Sequence, residues 1–481
     1  MAVELPIPSA GPDPAATGPG DVRLIKSPHL QLLVVDDQIL VYDALDCRCL
    51  IASSGMEALL DAWSEPATPI EFLATHPEYE DCLAAIHGLR DRGLLVPIDY
   101  DARRHHRQEL EDHLARVERG EVWDSLTLVL NERCNFRCTY CMEYSMIAGH
   151  QQRVAEQGRV MSREIATTAL DRYFALLHRR GREEAAVGFS GGEPFLNWEL
   201  MRFVLAEATA RAHSGATSVK RVSFGLNTNA SLVTPAIIAE LARYPIGALT
   251  VGIDGLAEGN DRVRRHLDGR ATFDAILRGL RLLIAHLPDT TISVNAVLTE
   301  ETAPYINEDF LRFLRDQGVR GVTMDPNLVH FPALGHEALC DQILALRRLG
   351  ESIGVSVHGF WWQPSRRLDQ SGERRVPFNC MAQGGVNLTV TATGNVGPCS
   401  YISPIFGRVE DMESVPSRPA YLDFLRRRFN SAIAFCQGCA IEGLCAGSCY
   451  VSSDQDSQRN ARCDFLREMT RRLLCERVRA E

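Results

Sequence analysis

Cys134-Asn135-Phe136-Arg137-Cys138-Thr139-Tyr140-Cys141 is the stretch from which the fold and the chemistry can be worked outward. It places three thiols in eight residues, spaced C-x3-C-x2-C, directly after the apolar run 126–130, which reads as a buried strand. Three thiolates on a four-iron cube leave one iron open, and an open iron suits a chelating ligand rather than electron storage. Zinc sites usually close with four ligands, or recruit histidine or carboxylate. His150, nine residues beyond Cys141, stands outside the usual zinc spacings. The run therefore reads as the loop of an iron–sulfur cluster.

Around it, strand and helix patterns alternate. Strand candidates are 126–130, 186–189, 222–226, 248–253, 291–298 and 322–324, with 355–357 as a last one. Between them lie amphipathic helices. One is capped by Ser162 and turns Ile165, Ala169, Tyr173, Leu176 and Leu177 inward; another carries Phe273, Ile276, Leu277, Leu280 and Leu283. About six βα units in some 200 residues predict an α/β fold with a parallel sheet, a partial (β/α)6 barrel.

Upstream, 32–35 and 39–42 predict a hairpin turning at Asp36-Asp37-Gln38, with 47–51 as a third strand. Ser54 is placed to cap a helix bearing Met56, Leu59, Leu60 and Trp63. Thr68-Pro69-Ile70-Glu71 has the form of a capping box, and Gly93 ends a helix holding Cys82, Leu83, Ile86 and Leu89. Strands followed by three short helices predict a small winged helix-turn-helix domain. Residues 28–97 carry 12 Asp and Glu against 3 Arg and no Lys. Such a domain repels phosphates, which excludes nucleic acid as its partner. It suits a neutral or basic peptide.

The whole chain has 481 residues and a net charge of −11, again against general nucleic-acid binding. No apolar run reaches membrane-spanning length and no secretory pattern opens the chain, so a cytoplasmic protein is expected. The 15 cysteines then read as metal ligands or catalytic groups rather than disulfides. The expected organisation is a disordered tail (1–22), the winged domain (23–98), a helical linker (99–122), the βα core (123–335), a connecting segment (336–373) and a cysteine-rich domain (374–481).

C-x3-C-x2-C after the first strand of a βα-repeat domain resembles the radical S-adenosylmethionine superfamily. The resemblance implies that Cys134, Cys138 and Cys141 ligate a 4Fe–4S cluster whose open iron binds the cofactor. One electron then breaks its sulfonium bond and yields a 5′-deoxyadenosyl radical that takes a hydrogen atom from the substrate. Further motifs fall in place. Ser190-Gly191-Gly192-Glu193-Pro194 follows strand two, where two glycines let the backbone approach the cofactor and Glu193 can accept from its ammonium group. Thr228-Asn229-Ala230 follows strand three, with Ala230 where relatives usually carry glycine. Gly252-Ile253-Asp254-Gly255 follows strand four, with Gly252 where relatives often carry serine. By the same resemblance Thr228, Asn229, Asp254 and Arg264 are cofactor contacts. Arg264 reads equally as a solvated charge beside Arg262 and Arg265. Asn295 and Asp325, near the ends of strands five and six, read as rim groups or as strand-end caps.

Seven more cysteines form the pattern Cys380-x13-Gly394-x4-Cys399, then Cys436-x2-Cys439-x5-Cys445-x3-Cys449 and Cys463. On spacing alone this fits iron–sulfur clusters or four-thiolate zinc. It resembles the seven-cysteine SPASM extension of radical enzymes that modify peptides. The resemblance implies two auxiliary 4Fe–4S clusters, three with the first. One would lie on Cys436, Cys439, Cys445 and Cys463. The other would lie on Cys380, Cys399 and Cys449, open to substrate or completed by a distant ligand such as Cys340. Sulfatase-maturing relatives carry a catalytic aspartate directly after the cysteine matching Cys399; Ser400 stands there, which speaks against formylglycine formation.

Residues 23–97 resemble the element that recognises leaders of ribosomally made peptides, in the early hairpin, the Ser-Gly-Met-Glu-Ala-Leu-Leu helix start and the closing Leu-Arg-Asp-Arg-Gly-Leu-Leu. Such elements add the leader as a strand, here at an edge near 47–51. The chain is thus expected to be a maturase that installs an oxidative crosslink, a carbon–carbon cyclophane or a thioether, in a precursor peptide bound by its leader. An external electron donor of flavodoxin or ferredoxin type is implied. Three other readings stay open: an epimerase, which needs a hydrogen donor such as Cys340; a radical enzyme acting on a folded protein or small molecule; and a zinc-binding scaffold without activity.

Overall fold

The computed structural model describes residues 22–141, 158–327, 331–368, 378–400, 404–453 and 460–481. All but Val22 of the tail expected over 1–22 lies outside the described residues. The chain forms two compact units that do not follow chain order. One comprises Met1–His113, Phe360–Asn379 and Arg426–Glu481; the other comprises Leu114–Gly359 and Cys380–Leu425. The stretch after residue 374, expected as one cysteine-rich segment, is divided between them.

In the first unit β1 (Leu24–Lys26) pairs with β5 (Leu95–Pro97), and β2 (Leu30–Val35), β3 (Gln38–Asp43) and β4 (Cys49–Ser53) form an antiparallel meander with β2 and β4 outermost. Helices Gly55–Ala62, Pro69–Thr75 and Leu83–Asp91 follow. The Thr68 hydroxyl accepts from Glu71 N while Glu71 accepts from Thr68 N, so the expected capping box forms. Ser54 makes no side-chain cap, because its own backbone is already helical. Val41, Ile39, Leu59, Leu60, Ile86 and Leu89 close around Trp63, which stacks on Phe72 at 4.2 Å and donates to Leu24 O at 3.1 Å. Burial of one such ring is worth about 3 kcal/mol. The linker helix is Ala102–Glu118. Helix Ala461–Ala480, capped by Asn460, packs on β2 and β3.

The second unit is built on one ten-stranded sheet. β6 (Ser125–Asn131), β7 (Glu184–Gly191), β8 (Arg221–Thr228), β9 (Ile246–Gly252), β10 (Thr291–Leu298), β11 (Gly321–Pro326) and β12 (Ser356–His358) lie side by side in chain order and are parallel. Helices Arg163–Arg179, Trp198–His213, Phe273–His286 and Glu308–Asp316 connect them. The sequence pattern missed what lies beyond β6. There β13 (Asn387–Val390) runs parallel to β6, and β14 (Asn395–Gly397) and β15 (Gly407–Arg408) continue antiparallel. These strands are short and half polar: the Asn387 side chain accepts from Ser125 and Thr127 hydroxyls, each at 3.0 Å. Among the described residues, no helix is long and apolar enough to cross a membrane.

Candidate active site

The loop Glu132–Cys141 leaves the end of β6 and is held by the ends of its neighbours. Gly192 N donates to Asn131 O at 3.0 Å and Glu193 N to Arg133 O at 2.9 Å. A Cβ on Gly191 would stand 2.1 Å from Asn131 O, and one on Gly192 2.2 Å from Arg133 O. The two glycines are therefore required by the approach of the cysteine loop's own backbone. Gly191, with φ +124°, is also in a region that side chains avoid.

Glu193 is fully enclosed. Its carboxylate accepts from Thr228 Oγ1 (2.7 Å), Asn229 N (2.8 Å) and Phe195 N (3.1 Å), joining the ends of β7 and β8. Burial raises it to about 7 against the pull of those three donors. Asn229 donates to Asn135 Oδ1 at 2.9 Å and stands 4.0 Å from Cys134 Sγ, which brings the β8 end to the first thiol. Ala230 has φ +57°, the left-handed region, which explains glycine as the usual residue there.

A second buried network joins residues that the sequence named separately. Arg264 Nε donates to Asp254 Oδ2 at 2.6 Å, Val297 N donates to Asp254 Oδ1 at 2.8 Å, and the Tyr140 hydroxyl donates to Asp254. The guanidinium lies 5.6 Å from the Tyr140 ring centre. A Cβ on Gly252 would fall 2.4 Å from the Arg264 guanidinium, so glycine in place of serine makes room for that cation. Arg264 is buried, not a solvated charge. Asp261, three residues before Arg264, caps a helix start instead: its Oδ1 accepts from Thr272 N (2.7 Å) and Phe273 N (2.8 Å). Asn327, which sequence reasoning passed over, is buried and donates to Tyr140 O at 3.2 Å. Asn295 accepts from Ile253 N through its backbone carbonyl.

Cys134, Cys138 and Cys141 thus share one loop held by the strand ends. Burial pushes the Cys134 thiol well up, and the Glu193 charge and the other two cysteines push it further. Burial likewise raises Cys138, with Arg264 pulling back. Such thiols are held as thiolates when a metal supplies positive charge, so the donor set fits an iron–sulfur cluster. Among the described residues no three His, Cys, Asp or Glu converge on a single metal-ion position. Ligands of a cube each serve a different iron and stand further apart than that.

The later cysteines form two groups in different units. Cys380 and Cys399 are close enough for the Cys399 charge to raise the Cys380 thiol further, after burial. Cys436 is raised by burial, then by Cys445, Cys463 and Cys439; Cys445 is pushed up to about 12, with Arg367 opposing. Cys449, expected with Cys380 and Cys399, belongs to the other compact unit. Cys340 is fully buried on the helix His336–Ile353, beside Leu339, Ile343 and Leu344.

Residues 128–314 match the family model described as the radical SAM superfamily. Over 396 residues the chain is 23% identical to the radical SAM cyclopropyl synthase TigE of Paramaledivibacter caminithermalis, covering 80% of this chain and 81% of that protein. The structure of anSMEcpe with bound AdoMet superposes with a TM-score of 0.60 at 17% identity, over 74% of this chain and 98% of that one. Streptococcus suis SuiB bound to S-adenosylmethionine superposes with a TM-score of 0.51 at 14% identity, over 91% of this chain and 99% of that one. Both structures share the fold.

Proposed function

We propose that this chain, a radical SAM enzyme that works with S-adenosylmethionine and a 4Fe–4S cluster, matures a ribosomally made precursor peptide. In this reading Cys134, Cys138 and Cys141 hold the cluster. When bound, the cluster and cofactor supply a 5′-deoxyadenosyl radical that removes a hydrogen atom from the peptide. Glu193, Thr228 and Asn229 shape the cofactor side of the pocket, and Arg264 with Asp254 fixes Tyr140 between the second and third thiols. Gly191 and Gly192 set the loop against β7.

The observation that carries the peptide reading lies in the first unit. There a small acidic sheet with an outer strand, β4, shares one compact body with the four thiols of Cys436, Cys439, Cys445 and Cys463. An outer strand offers unpaired N–H and C=O groups to an added peptide strand. The acidic balance favours a leader with basic residues. Two auxiliary clusters, three in all, would accept the surplus electron after hydrogen abstraction, so the product is an oxidative bond, carbon–carbon or thioether. Similarity to a cyclopropyl synthase favours carbon–carbon bond formation within this class. Ser400 in place of aspartate and the buried Cys340 weigh against formylglycine formation and epimerisation.

Leader binding tests the reading directly. A candidate short precursor peptide from a neighbouring reading frame, labelled at its leader, is titrated with the full-length protein. Affinity on the order of micromolar supports the reading, and no binding at millimolar concentration contradicts it.

A further inference from the structure

We infer that the N-terminal segment is a structural part of the four-cysteine site, with Arg103 and Gly443 as its positioning residues. The inference rests on the reading that Cys436, Cys439, Cys445 and Cys463 hold an auxiliary cluster.

The loop that carries Cys436, Cys439 and Cys445 has little regular structure of its own, whereas Cys463 stands in the helix Ala461–Ala480. Between Cys436 and Cys449 its one α-helix is the four-residue Glu442–Cys445. Asn430 Nδ2 donates to Glu442 O at 3.1 Å and the Arg367 guanidinium to Leu444 O, and further grips come from residues more than 300 positions earlier. Arg103, on the linker helix, reaches Glu442 with both prongs of its guanidinium, at 2.7 Å and 3.0 Å. The Glu442 side chain is only 1% exposed. Its Oε2 also accepts from Gly438 N at 2.8 Å, on the backbone joining Cys436 to Cys439. Removing the guanidinium would strand a buried carboxylate among thiols that themselves ionise when metal binds. The loop would have to open so that water could reach it.

The second grip is the turn between β3 and β4. Asp43 Oδ1 accepts from Leu45 N (2.8 Å) and Asp46 N (2.7 Å), and Cys47 is left-handed with φ +60°. That strained turn presents Ala44 O to Gly443 N at 2.7 Å. A Cβ on Gly443 would stand 2.1 Å from Leu45 O and 2.9 Å from Cys47 Sγ. The first is backbone and cannot swing aside. Gly443, two residues before Cys445, is therefore the point where loop and turn touch. A third tie is the Tyr42 hydroxyl, which donates to Ala440 O at 3.2 Å.

The same turn leads directly into β4, the proposed leader edge. The segment that receives the leader also shapes the cluster loop, so the two are parts of one site.

The test is anaerobic iron–sulfur reconstitution of the full chain, comparing wild type, Gly443→Ala, Arg103→Ala and Arg103→Lys. Iron per chain and the electron paramagnetic resonance of the reduced protein are read, with circular dichroism as the check on folding. Wild type is expected to hold about twelve irons. Arg103→Ala and Gly443→Ala should each lose about a third of them, together with the resonance of one cluster. Arg103→Lys, which keeps the charge but not the fork, should recover most of the iron. If Gly443→Ala does not fold, Arg103→Ala and its lysine rescue decide the matter. Wild-type iron and an unchanged spectrum in Arg103→Ala would overturn the inference while leaving the auxiliary cluster in place. About four irons in wild type would overturn the auxiliary-cluster reading and the inference with it.

Discussion

The two best-defined cysteine loops solve the same problem with supports of different kinds. Cys134–Cys141 leaves a strand and is held by the ends of the neighbouring parallel strands, through Gly192, Glu193, Asn229 and Asn327. Cys436–Cys445 is held by a hairpin turn and a linker helix from the other end of the chain, through Ala44 and Arg103. The first loop rests on a scaffold that parallel strands create wherever they end. The second rests on contacts that exist only when distant segments have come together. Under the proposed function, the first loop would hold a centre made rigid by topology and the second one made rigid by assembly, and the two should respond differently to change.

The largest expected effect breaks the first loop alone. Cys141→Ala should abolish 5′-deoxyadenosine formation, measured by chromatography, while leader affinity of the full chain stays within about twofold, since the thiol lies in a different compact unit from β4. Loss of both would erase the distinction between the two loops. Next, Arg264→Ala leaves Asp254 buried and unpaired. It should cost about 3–5 kcal/mol in chemical denaturation of the second unit. A loss under about 1 kcal/mol would mean that the Tyr140 hydroxyl and Val297 N support the Asp254 carboxylate without the guanidinium.

A pH profile sharpens the comparison. Glu193 is raised in the folded protein from 4.5 to about 7, so the folded state holds its proton where the unfolded state has lost it. Stability of the metal-free protein should therefore fall as pH rises between about 4.5 and about 7. Glu193→Gln cannot titrate and should flatten that part of the profile. It also turns a donor toward Asn229 N, which should cost about 1–3 kcal/mol at all pH values. An unchanged slope would place the titration elsewhere. The smallest effect is at Ala230, whose left-handed backbone costs about 1 kcal/mol relative to glycine. Ala230→Gly should raise stability by no more than that, and a fall would show that the methyl group packs usefully.

The same contrast explains what was legible in the sequence. The seven parallel strands β6 to β12 and the first cysteine loop rest on short-range patterns, and β10 spans the expected residues. The Tyr140–Asp254–Arg264 network was half legible. Its members stood in recognisable motifs, but Gly252 was an absence whose meaning, space for a guanidinium, only packing reveals. The strands β13 to β15 were hidden because Asn387 and Thr389 satisfy a polar ladder with β6 and show no apolar alternation. The grips on Gly443 and Glu442 were not legible at all. They join residues 339 or more apart, and neither Arg103 nor Gly443 sits in a motif.

The most direct test of the central claim is mass spectrometry of a candidate precursor peptide from a neighbouring reading frame, co-expressed with this chain, alongside a copy lacking its leader. Loss of two hydrogen atoms from the core of the full precursor, and none from the leaderless copy, is the predicted result. An unchanged mass in the full precursor, or equal modification of the leaderless copy, would contradict it.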